Sequence, residues 1–365
     1  MKILQLISGA LGQGGAERLV IDLSETMARK GHDVTICCFR KPSDEVVSNI
    51  DKSVKVHCFG KTKGLDLLLP FKIANYIKAE GFEVVNCHLP AVFPYLIWSL
   101  LVCKDVKFFY TIHNNPIDEE SRKSMRMIRK GFAEKGKLTF VGISGMISDD
   151  FKKLYRLNSA VPVIYNGRKR QQFAKDDEIV KAEVSSYKKN EDTKVFIAVG
   201  RLNPQKNYTL LIEAFGLLKD ENILLVVLGK DYDGFLERHK NDIPSNVHFL
   251  GGKNNVSDYL FNADCFIMSS LYEGLPISII EAMSAGLPIV STAVGGIPDI
   301  VKEGVNGFLS ESLEVDDFVK TIRRFLSMSA TDLAKMKEAN KNEYNEKYTI
   351  ERTAEQYLAL YQRTV

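Results

Sequence analysis

The sequence predicts an α/β protein built from two doubly wound domains; if these face each other, a ligand would lie in the cleft between them. Its 365 residues suffice for two domains of ordinary size, each with its own core. In both halves short apolar runs alternate with helical patterns, which is typical of parallel strands joined by right-handed crossovers. A charged stretch without apolar runs, residues 168–194, separates the halves, and we expect the connection between the domains there.

The elements of the first half follow from its apolar periodicity. Buried strands are predicted at residues 2–8, 33–39, 54–59, 82–89, 106–113, 138–144 and 161–165. Helices are predicted at residues 15–30, 69–80, 119–134 and 145–155. The uncharged run 91–103 is too short to span a bilayer comfortably and contains Pro94, so it predicts a further core helix.

The second half repeats this alternation after the charged stretch, in which we also expect a short helix. Strands are predicted at residues 195–200, 223–228, 247–250, 265–268, 289–291 and 307–309. Helices are predicted at residues 208–219, 256–262, 276–285, 297–302 and 315–326, and helical patterns run from 331 to about 363. We therefore set the first domain at residues 1–168 and the second at 169–349.

Composition narrows the class of protein. A hydrophobic fraction of 45% with 26% charged residues is typical of a soluble globular protein, and a net charge of +3 gives no reason to expect a nucleic-acid partner. The six cysteines form no CxxC pair, which predicts buried thiols in a reducing compartment and no metal site. Because the N-terminus lacks the features of a signal peptide, we expect a cytoplasmic protein, with the inner face of the membrane as an alternative location.

A pair of glutamates surrounds a predicted helix start in the second half. Glu273 and Gly274 form a turn directly after an apolar strand, and Pro276 and Ile277 begin the helix that contains Glu281. Proline suits a first helical turn because its missing N–H would have no partner there. Free amides and the helix dipole favour an anion, whereas carboxylates bind hydroxyls. The turn therefore predicts a site for a phosphorylated sugar.

Two cations follow the first strand of the second domain. Arg201 offers a forked donor and Lys206 a point charge, and together they would neutralise a diphosphate. Two solvated surface charges are the alternative. Since both residues follow a strand, as Glu273 does, we expect all three at one edge of the sheet.

A glycine-rich turn follows the first strand of the chain. Gly12, Gly14 and Gly15 suggest a dinucleotide fingerprint, but Glu17 stands where its third glycine belongs. The second strand also runs into Arg40 instead of an acidic residue. A nicotinamide cofactor is thus not expected, and the turn is interpreted as a loop that approaches a phosphate or sugar, or as a tight strand–helix connection.

Polar residues at other strand ends of the first domain are expected to line a cleft. His113 ends one strand and is followed by Asn114, while His88 ends another. A structural role is the alternative for either histidine. Ser144 and Asn166 follow two further strands.

Residues 122–137 form a basic, partly amphipathic segment. Its apolar members are Met125, Met127, Ile128 and Phe132. Such segments lie on anionic membranes, so a peripheral membrane contact is one interpretation. An ordinary surface helix is the other.

At this point the motifs carry a family resemblance. The stretch EGLPISIIEAMSAGLPIVSTAVGGIPDIV resembles the Glu-x7-Glu block of the retaining nucleotide-sugar glycosyltransferases of family four. The segments GQGGAE, TIH, IYNG and VGRLNPQKN agree with the same family and stand in its order over nearly the whole chain. The resemblance implies the GT-B fold of two Rossmann-like domains, with a last helix at about 350–365 that packs back on the first domain.

The resemblance also implies roles for matching residues. Glu273 would lie at the donor sugar, Glu281 would bind the ribose hydroxyls, and His113 would lie near the attacking hydroxyl. The residues with implied catalytic roles are Glu273, His113, Arg201 and Lys206. The further residues implied in donor binding are Gly14, Gly15, Gly229, Lys230, Leu250, Lys253, Val256, Gly274, Leu275, Pro276, Ile277, Ser278 and Glu281. The residues expected on the acceptor side are His88, Asn114, Ser144 and Asn166.

The sequence departs from the family pattern in two places. Arg168 and Lys169 follow the Asn-Gly pair where a small apolar residue and Asp are usual. In the family a second glycine usually stands two positions after Gly229, but here Lys230 follows Gly229 and Asp231 takes the place of that second glycine.

The function implied is retaining transfer of a sugar, UDP-linked rather than GDP-linked, to a hydroxyl of a glycan or lipid-linked acceptor in bacterial surface polysaccharide synthesis. The family needs no metal, and no cofactor besides the nucleotide-sugar substrate is expected. A nucleotide-sugar epimerase or hydrolase on the same fold is one alternative. A non-catalytic subunit that binds sugar nucleotides is another.

Overall fold

The computed structural model describes residues 1–12, 14–172 and 177–363. The chain divides into two compact units: the first comprises Met1–Lys169 and Tyr348–Val365, and the second comprises Arg170–Lys347. Residues 173–176 of the expected connection, Gln13 of the glycine-rich turn and the last two positions of the C-terminal segment lie outside the described residues.

The first unit contains a six-stranded parallel sheet, as the alternating pattern predicted. Its strands are β1 (Lys2–Ile7), β2 (Asp33–Cys38), β3 (Lys55–Cys58), β4 (Val84–His88), β5 (Lys107–Ile112) and β6 (Thr139–Gly142). The spatial order is β3-β2-β1-β4-β5-β6, so the order reverses between β1 and β4. In open α/β sheets ligands bind outside the carboxyl ends of the strands at such a reversal.

The helices of this unit are α1 (Gly15–Arg29), α2 (Asp44–Ser48), α3 (Leu69–Glu80), α4 (Phe93–Val102), α5 (Pro116–Glu119), α6 (Lys123–Glu134) and α7 (Gly145–Tyr155). The expected core helix in 91–103 is confirmed as α4, whereas α2 was not predicted. The single helix predicted at 119–134 is wrong, because Glu120 is extended at φ −164° and separates α5 from α6. Glu119 is 1% exposed and turns its carboxylate toward the end of β5, which ends α5 after four residues.

The strand predicted at 161–165 is also wrong. Val163 forms only an isolated bridge with Gly142, and Ile164 donates one hydrogen bond to the Gly142 carbonyl at 2.9 Å. Pro162 lacks the N–H that a continuing ladder would need. The apolar run is therefore buried without becoming a seventh strand.

The second unit contains another six-stranded parallel sheet. Its strands are β7 (Lys194–Val199), β8 (Ile223–Leu228), β9 (Val247–Phe249), β10 (Cys265–Met268), β11 (Ile289–Thr292) and β12 (Gly307–Ser310). Its helices are α8 (Asp177–Ser186), α9 (Tyr208–Leu217), α10 (Phe235–His239), α11 (Val256–Phe261), α12 (Ile277–Ser284), α13 (Ile297–Ile300), α14 (Val315–Leu326) and α15 (Ala330–Lys347). The strand order is β12-β11-β10-β7-β8-β9, which reverses between β7 and β10.

The C-terminal helix α16 (Ile350–Arg363) belongs to the first unit, where it packs on α1 and the sheet. The Tyr361 ring lies 4.6 Å from that of Phe109, and the Tyr357 hydroxyl is 2.9 Å from Oγ1 of Thr111. A Cβ on Gly167 would lie 2.4 Å from the Thr349 carbonyl oxygen, so only glycine permits this close approach.

The two basic residues after Gly167 explain a departure from the family pattern. Arg168 is 7% exposed and its guanidinium pairs with Asp22 on α1. Lys169 pairs with the same aspartate at 3.3 Å and also with Glu25. The usual small residue and Asp are thus replaced by a charge cluster that ties this segment to α1.

Candidate active site

The predicted donor residues follow four neighbouring strands of the second unit. Spatially these strands are β10, β7, β8 and β9. Glu273 follows β10 and Lys206 follows β7, so they stand on either side of the reversal in strand order. Lys230 follows β8, and Leu250 follows β9. Parallel pairing therefore brings segments from distant parts of the chain to one sheet edge.

Lys206 and Glu273 form a largely buried ion pair at this reversal. The Lys206 Nζ lies 2.6 Å from Oε1 of Glu273, and the two side chains are 18% and 8% exposed. The Ser270 hydroxyl donates to the same oxygen at 2.7 Å. Oε2 of Glu273 has no hydrogen-bond partner within the described ranges, so it is available to a hydroxyl donor.

The backbone around this pair is fixed from both sides. The Gln205 side chain donates to the Tyr272 carbonyl at 3.0 Å, and Ser269 Oγ donates to the Lys206 carbonyl at 2.8 Å. The buried Tyr208 hydroxyl donates to the Gly200 carbonyl at 2.8 Å, and burial with the nearby Glu273 charge raises its pKa. Both halves of the ion pair therefore sit on a backbone that has little freedom to move.

The start of α12 presents unpaired amides beside Glu273. Pro276 is the residue before the first helical turn, not its first member as predicted, with φ −71° and ψ 118°. Within the described residues, the backbone amides of Gly274, Leu275, Ile277 and Ser278 donate to no acceptor. Two of these donors belong to the first helical turn and two lie just before it, and together they are suited to phosphate or sugar oxygens.

Gly295 supports the Glu273 turn, a role that was not predicted from the sequence. Its φ is +55°, and a Cβ there would lie 1.7 Å from the Glu273 carbonyl oxygen. The next amide, of Gly296, donates to the Gly274 carbonyl at 3.0 Å. The sequence does contain a signal, the Gly-Gly pair after β11, but its contact partner is not visible there.

Arg201 and Lys230 differ from Lys206 in their surroundings. Arg201 is exposed and has no hydrogen-bond or ion-pair partner among the residues that the structure describes. Lys230 is also exposed, and a Cβ on Gly252 would lie 2.6 Å from its Cγ. Gly252 therefore lets the Lys230 stem lie across the loop after β9. Asp231 instead accepts from the Phe235 and Leu236 amides, each at 2.9 Å, and caps α10.

The remaining predicted donor residues lie farther along these elements. Lys253 pairs with Glu183 at 3.3 Å, and its Nζ lies 5.4 Å from the Tyr259 ring centre. The hydrogen bond with Tyr259 is the main cause that raises the Lys253 pKa. Val256 begins α11 beside this cluster, and Glu281 is 6% exposed inside α12. Lys253 is therefore committed to a structural cluster that the sequence did not indicate.

In the first unit, the predicted histidines form a buried chain with Gln5. His88 Nε2 lies 2.8 Å from Oε1 of Gln5, and His88 Nδ1 lies 2.9 Å from Nε2 of His113. An amide oxygen only accepts, so His88 carries its proton on Nε2 and accepts from His113 through Nδ1. His113 then carries its proton on Nε2, which leaves its Nδ1 with a free lone pair.

Burial keeps both rings neutral. It lowers the pKa of His113 to about 4. It also lowers the pKa of His88 well below the ordinary value, and the neighbouring His113 lowers that pKa further. An imidazole that is neutral at physiological pH can accept a hydrogen bond or a proton, but it carries no charge to offer.

Glu119 fixes the main chain that carries His113. Its Oε1 accepts from the amides of His113 and Asn114 at 3.1 and 3.0 Å, and from the Asn114 side chain at 3.3 Å. The Tyr110 hydroxyl donates to its Oε2 at 2.6 Å. Burial raises the pKa of Glu119. The sequence pattern predicted Glu119 as the first residue of a helix and did not indicate this contact.

Two of the other predicted residues of this unit, Ser144 and Gly14, have structural partners. Ser144 caps α7 by accepting from the Ile147 amide at 3.2 Å. The Gly14 amide is taken by Oε2 of Glu17 at 2.7 Å, so it is not open to a ligand in this arrangement. Gly15 begins α1, and Asn166 is 4% exposed. Glu17, which stands where the dinucleotide pattern requires a glycine, thus binds the backbone of the glycine-rich turn.

No group of metal-binding side chains occurs among the described residues, and the six cysteines are free. Within the same ranges no helix combines the length and apolarity that a bilayer crossing requires.

Two family models match the chain in succession. The model described as Glycosyltransferase Family 4 matches residues 13–171, and the model described as Glycosyl transferases group 1 matches residues 180–343. Together they cover both units. The chain is a family-4 glycosyltransferase of the GT-B fold.

Curated relatives and solved structures of other proteins are similar to this glycosyltransferase over most of their length. It is 26% identical to the Escherichia coli UDP-Gal:alpha-D-GlcNAc-diphosphoundecaprenol alpha-1,3-galactosyltransferase over 85% of this chain and 84% of the relative. It is also 26% identical to the Bacillus anthracis N-acetyl-alpha-D-glucosaminyl L-malate synthase, over 82% and 81%. The fold matches the crystal structure of Anabaena HepE in complex with UDP and glucose, with a TM-score of 0.82, 17% identity and 100% of both chains covered.

Proposed function

We propose that this glycosyltransferase moves a sugar from a UDP-linked donor to a hydroxyl of a glycan or lipid-linked acceptor, with retention at the anomeric carbon and without a metal ion. The printed name of the Escherichia coli relative combines a UDP-sugar donor with a diphosphoundecaprenol-linked acceptor, and HepE holds UDP and glucose. Both support this donor and acceptor class. We also propose a role in surface polysaccharide synthesis, which the printed name of another Escherichia coli relative, lipopolysaccharide glucosyltransferase WaaG, supports.

The observation that carries the proposal is the Lys206–Glu273 pair at the start of α12. A diphosphate would meet the Lys206 ammonium, the exposed Arg201 and the unpaired amides after Gly274. A sugar hydroxyl would donate to Oε2 of Glu273. Fixed cations and amides stabilise the negative charge that develops on a departing diphosphate.

In the proposed step the bond between the anomeric carbon and the diphosphate oxygen breaks, and its electron pair stays on the diphosphate. The acceptor oxygen forms the new bond on the same face, and its proton passes to the departing phosphate oxygen. This step needs neither a metal ion nor a covalent intermediate with the enzyme.

His113 belongs to the acceptor side of the proposal. Its neutral ring has a free Nδ1, which would accept a hydrogen bond from a substrate hydroxyl. Glu119 holds its backbone and His88 its ring, so this acceptor is held in position before substrate binds.

We also propose that the protein works in the cytoplasm at the inner face of the membrane, with residues 122–137 near the lipid surface. Arg129, which the sequence grouped with the basic residues, is fully buried between the Phe93 and Tyr110 rings. Met127 and Ile128 stay exposed on α6, at 67% and 42%. The segment therefore offers lipid a smaller charge than its sequence indicates.

Product analysis tests the function. The purified chain is incubated with UDP-sugars, GDP-sugars and diphosphoprenyl-linked glycans, with and without a chelator, and the product anomer is assigned by NMR. We expect a retained linkage from a UDP-sugar and an unchanged rate with chelator. An inverted linkage would contradict retention, and sugar epimers formed without acceptor would contradict a transferase. Loss of activity on chelation would contradict the metal-independent mechanism.

A further inference from the structure

An apolar patch in the first unit is not part of the site described above. It consists of six large exposed side chains around the start of α3 and along α4. We call it the leucine patch, and its members are Leu65, Leu67, Leu68, Phe71, Trp98 and Leu101. Their exposed fractions run from 41% to 77%. Apolar groups of this size on one surface mark interaction sites in soluble proteins.

Two members of the patch are in direct contact, and the others adjoin this pair along α4 and before α3. The helices α3 and α4 pack together, and the Phe71 and Trp98 ring centres are 5.1 Å apart. Leu101 lies one helical turn after Trp98 on the same face of α4. Oδ1 of Asp66 accepts from the Leu68 and Leu69 amides at 3.0 and 3.1 Å, which fixes the loop that carries the leucines.

The patch is not a misplaced part of the core. The inner sides of the same helices are already filled, since Ile73 and Ile77 on α3 and Leu96 on α4 are fully buried. Leu65, Leu67 and Leu68 are 77%, 73% and 64% exposed, so most of each side chain is free to enter a partner. The fluid boundary between headgroups and acyl chains can surround such side chains without a preformed groove.

The surroundings of the patch favour a lipid surface. Lys63, Lys72 and Lys104 are exposed beside it, against Asp105 and Asp66, of which Asp66 is occupied by loop amides. Projecting leucines, an exposed tryptophan and flanking lysines are the groups that enter the boundary between headgroups and acyl chains. The excess of lysine matches anionic headgroups.

The position of the patch relates it to the acceptor. The loop with Leu65 follows β3, while His88 ends β4 and His113 follows β5 of the same parallel sheet. All three therefore lie at the carboxyl edge of that sheet. Resting on the proposed function, we infer that the leucine patch inserts into the membrane interface and so brings a lipid-linked acceptor to the His113 edge.

The basic helix α6 is the rival anchor, and it packs beside α4 through Phe132 and Phe93, whose ring centres are 6.5 Å apart. Lys130 is paired with Glu134 at 3.2 Å, and Arg129 is buried. Its exposed large apolar side chains are Met127 and Ile128. The leucine patch offers lipid more apolar side chains than α6 does, so it supplies the anchor and α6 contributes charge.

Trp98 reports on this contact directly, because it is the only tryptophan of the chain. Its fluorescence is followed while the full chain is mixed with vesicles of phosphatidylcholine containing phosphatidylglycerol, and with vesicles whose acyl chains carry bromine. We expect a blue shift and bromine quenching, since an inserted indole leaves water and meets the acyl chains. Unchanged emission in both titrations would overturn the inference.

A variant series separates the two anchors. Leu65→Ser/Leu67→Ser should lower vesicle binding about tenfold or more, because each leucine loses the apolar area that it would bury in lipid. Leu217→Ser is the control, since Leu217 is another exposed leucine (60%), on α9 of the second unit, and this variant should bind as wild type. Met127→Ser/Ile128→Ser should have the smaller effect of the two double variants.

The remaining outcomes are decisive as well. Loss of binding in the α6 variant alone would assign the anchor to α6 and overturn the inference. A blue shift that grows with protein concentration without vesicles would show that a second copy covers the patch. UDP-induced thermal stabilisation and transfer to a short soluble acceptor report on the proposed function, and the leucine variants should leave both unchanged.

Discussion

The ammonium of Lys206 is 2.6 Å from a carboxylate oxygen of Glu273, although 67 positions separate the two residues. This pair joins the loops after β7 and β10 where the strand order of the second sheet reverses. A diphosphate that binds there would meet a lysine already held in place, and a sugar would meet a carboxylate with one free oxygen.

Removal of either predicted diphosphate cation should slow turnover. Arg201→Ala and Lys206→Ala should each lower kcat by about a hundredfold, since each removes a charge that stabilises the leaving group. The two variants should differ in their free energy of unfolding, because Arg201 is exposed whereas Lys206 lies against a buried carboxylate. Urea unfolding should thus show a loss of about 1–3 kcal/mol for Lys206→Ala alone. Lys219→Ala, an exposed control in the same unit, should change neither quantity, and near-normal turnover in the two test variants would refute the assignment.

Gly295 should tolerate no side chain. At φ +55° an alanine is strained, and its Cβ would also overlap the Glu273 carbonyl at 1.7 Å. Gly295→Ala should therefore cost roughly 3 kcal/mol or more of unfolding free energy and displace the Glu273 turn, with a fall in kcat. Gly304→Ala is the control for conformation alone, since its φ is +72° with no atom within 4 Å of a Cβ. It should cost about 1–2 kcal/mol. Equal losses would contradict the contact with Glu273.

The buried histidines should make stability depend on pH. Burial holds the pKa of His113 at about 4, against 6.5 in the unfolded chain, so between these values the unfolded chain binds more protons than the folded one. The free energy of unfolding should thus fall as pH falls from about 6.5 toward 4, by roughly 3 kcal/mol for His113, with His88 adding to the trend. In His88→Gln/His113→Gln the slope over this range should be shallower. Parallel curves for variant and wild type, from urea unfolding at each pH, would contradict the buried neutral rings.

The ion pairs of Arg168 and Lys169 with α1 should contribute more to the free energy of unfolding than an exposed ion pair near the end of the same helix. Asp22→Ala leaves the buried Arg168 guanidinium without this carboxylate and deprives Lys169 of one of its two, which should cost about 3–5 kcal/mol. The Lys30–Glu355 pair, 2.9 Å apart and 34% and 52% exposed, also starts from α1. Lys30→Ala should cost at most about 1 kcal/mol. Denaturation midpoints that differ from wild type by the same amount in both variants would contradict a special role for Arg168.

Much of the fold could be predicted because its signals are local. Apolar runs of strand length bounded by turn residues indicated the strands of both sheets, and the ends of α3, α7 and α14 agree with the pattern. The two wrong elements, the strand at 161–165 and the helix at 119–134, have causes that become visible only in the folded structure. Pro162 prevents a ladder that its apolar neighbours favour, and Glu119 ends a helix because its carboxylate binds the backbone of His113.

The candidate site could be predicted in outline only. Charged and glycine residues at strand ends indicated Arg201, Lys206 and Glu273, since parallel strands bring their carboxyl ends to one edge. The sequence could not indicate that Lys253 is held by Glu183, or that Glu17 takes the Gly14 amide. A charged residue in a sequence shows what it can bind, but not which of its possible partners packing brings within reach.

The order of residues along the chain was enough to specify two α/β units, the strand ends that carry chemistry and the family. Packing specified the pairings: Lys206 with Glu273 over 67 positions, His88 with Gln5 over 83, and Arg168 with Asp22 over 146. The physical reason is that helix and strand periodicity reflects contacts within a few residues. The proton position on His113 and the free oxygen of Glu273 instead depend on atoms that meet only when distant strands pair.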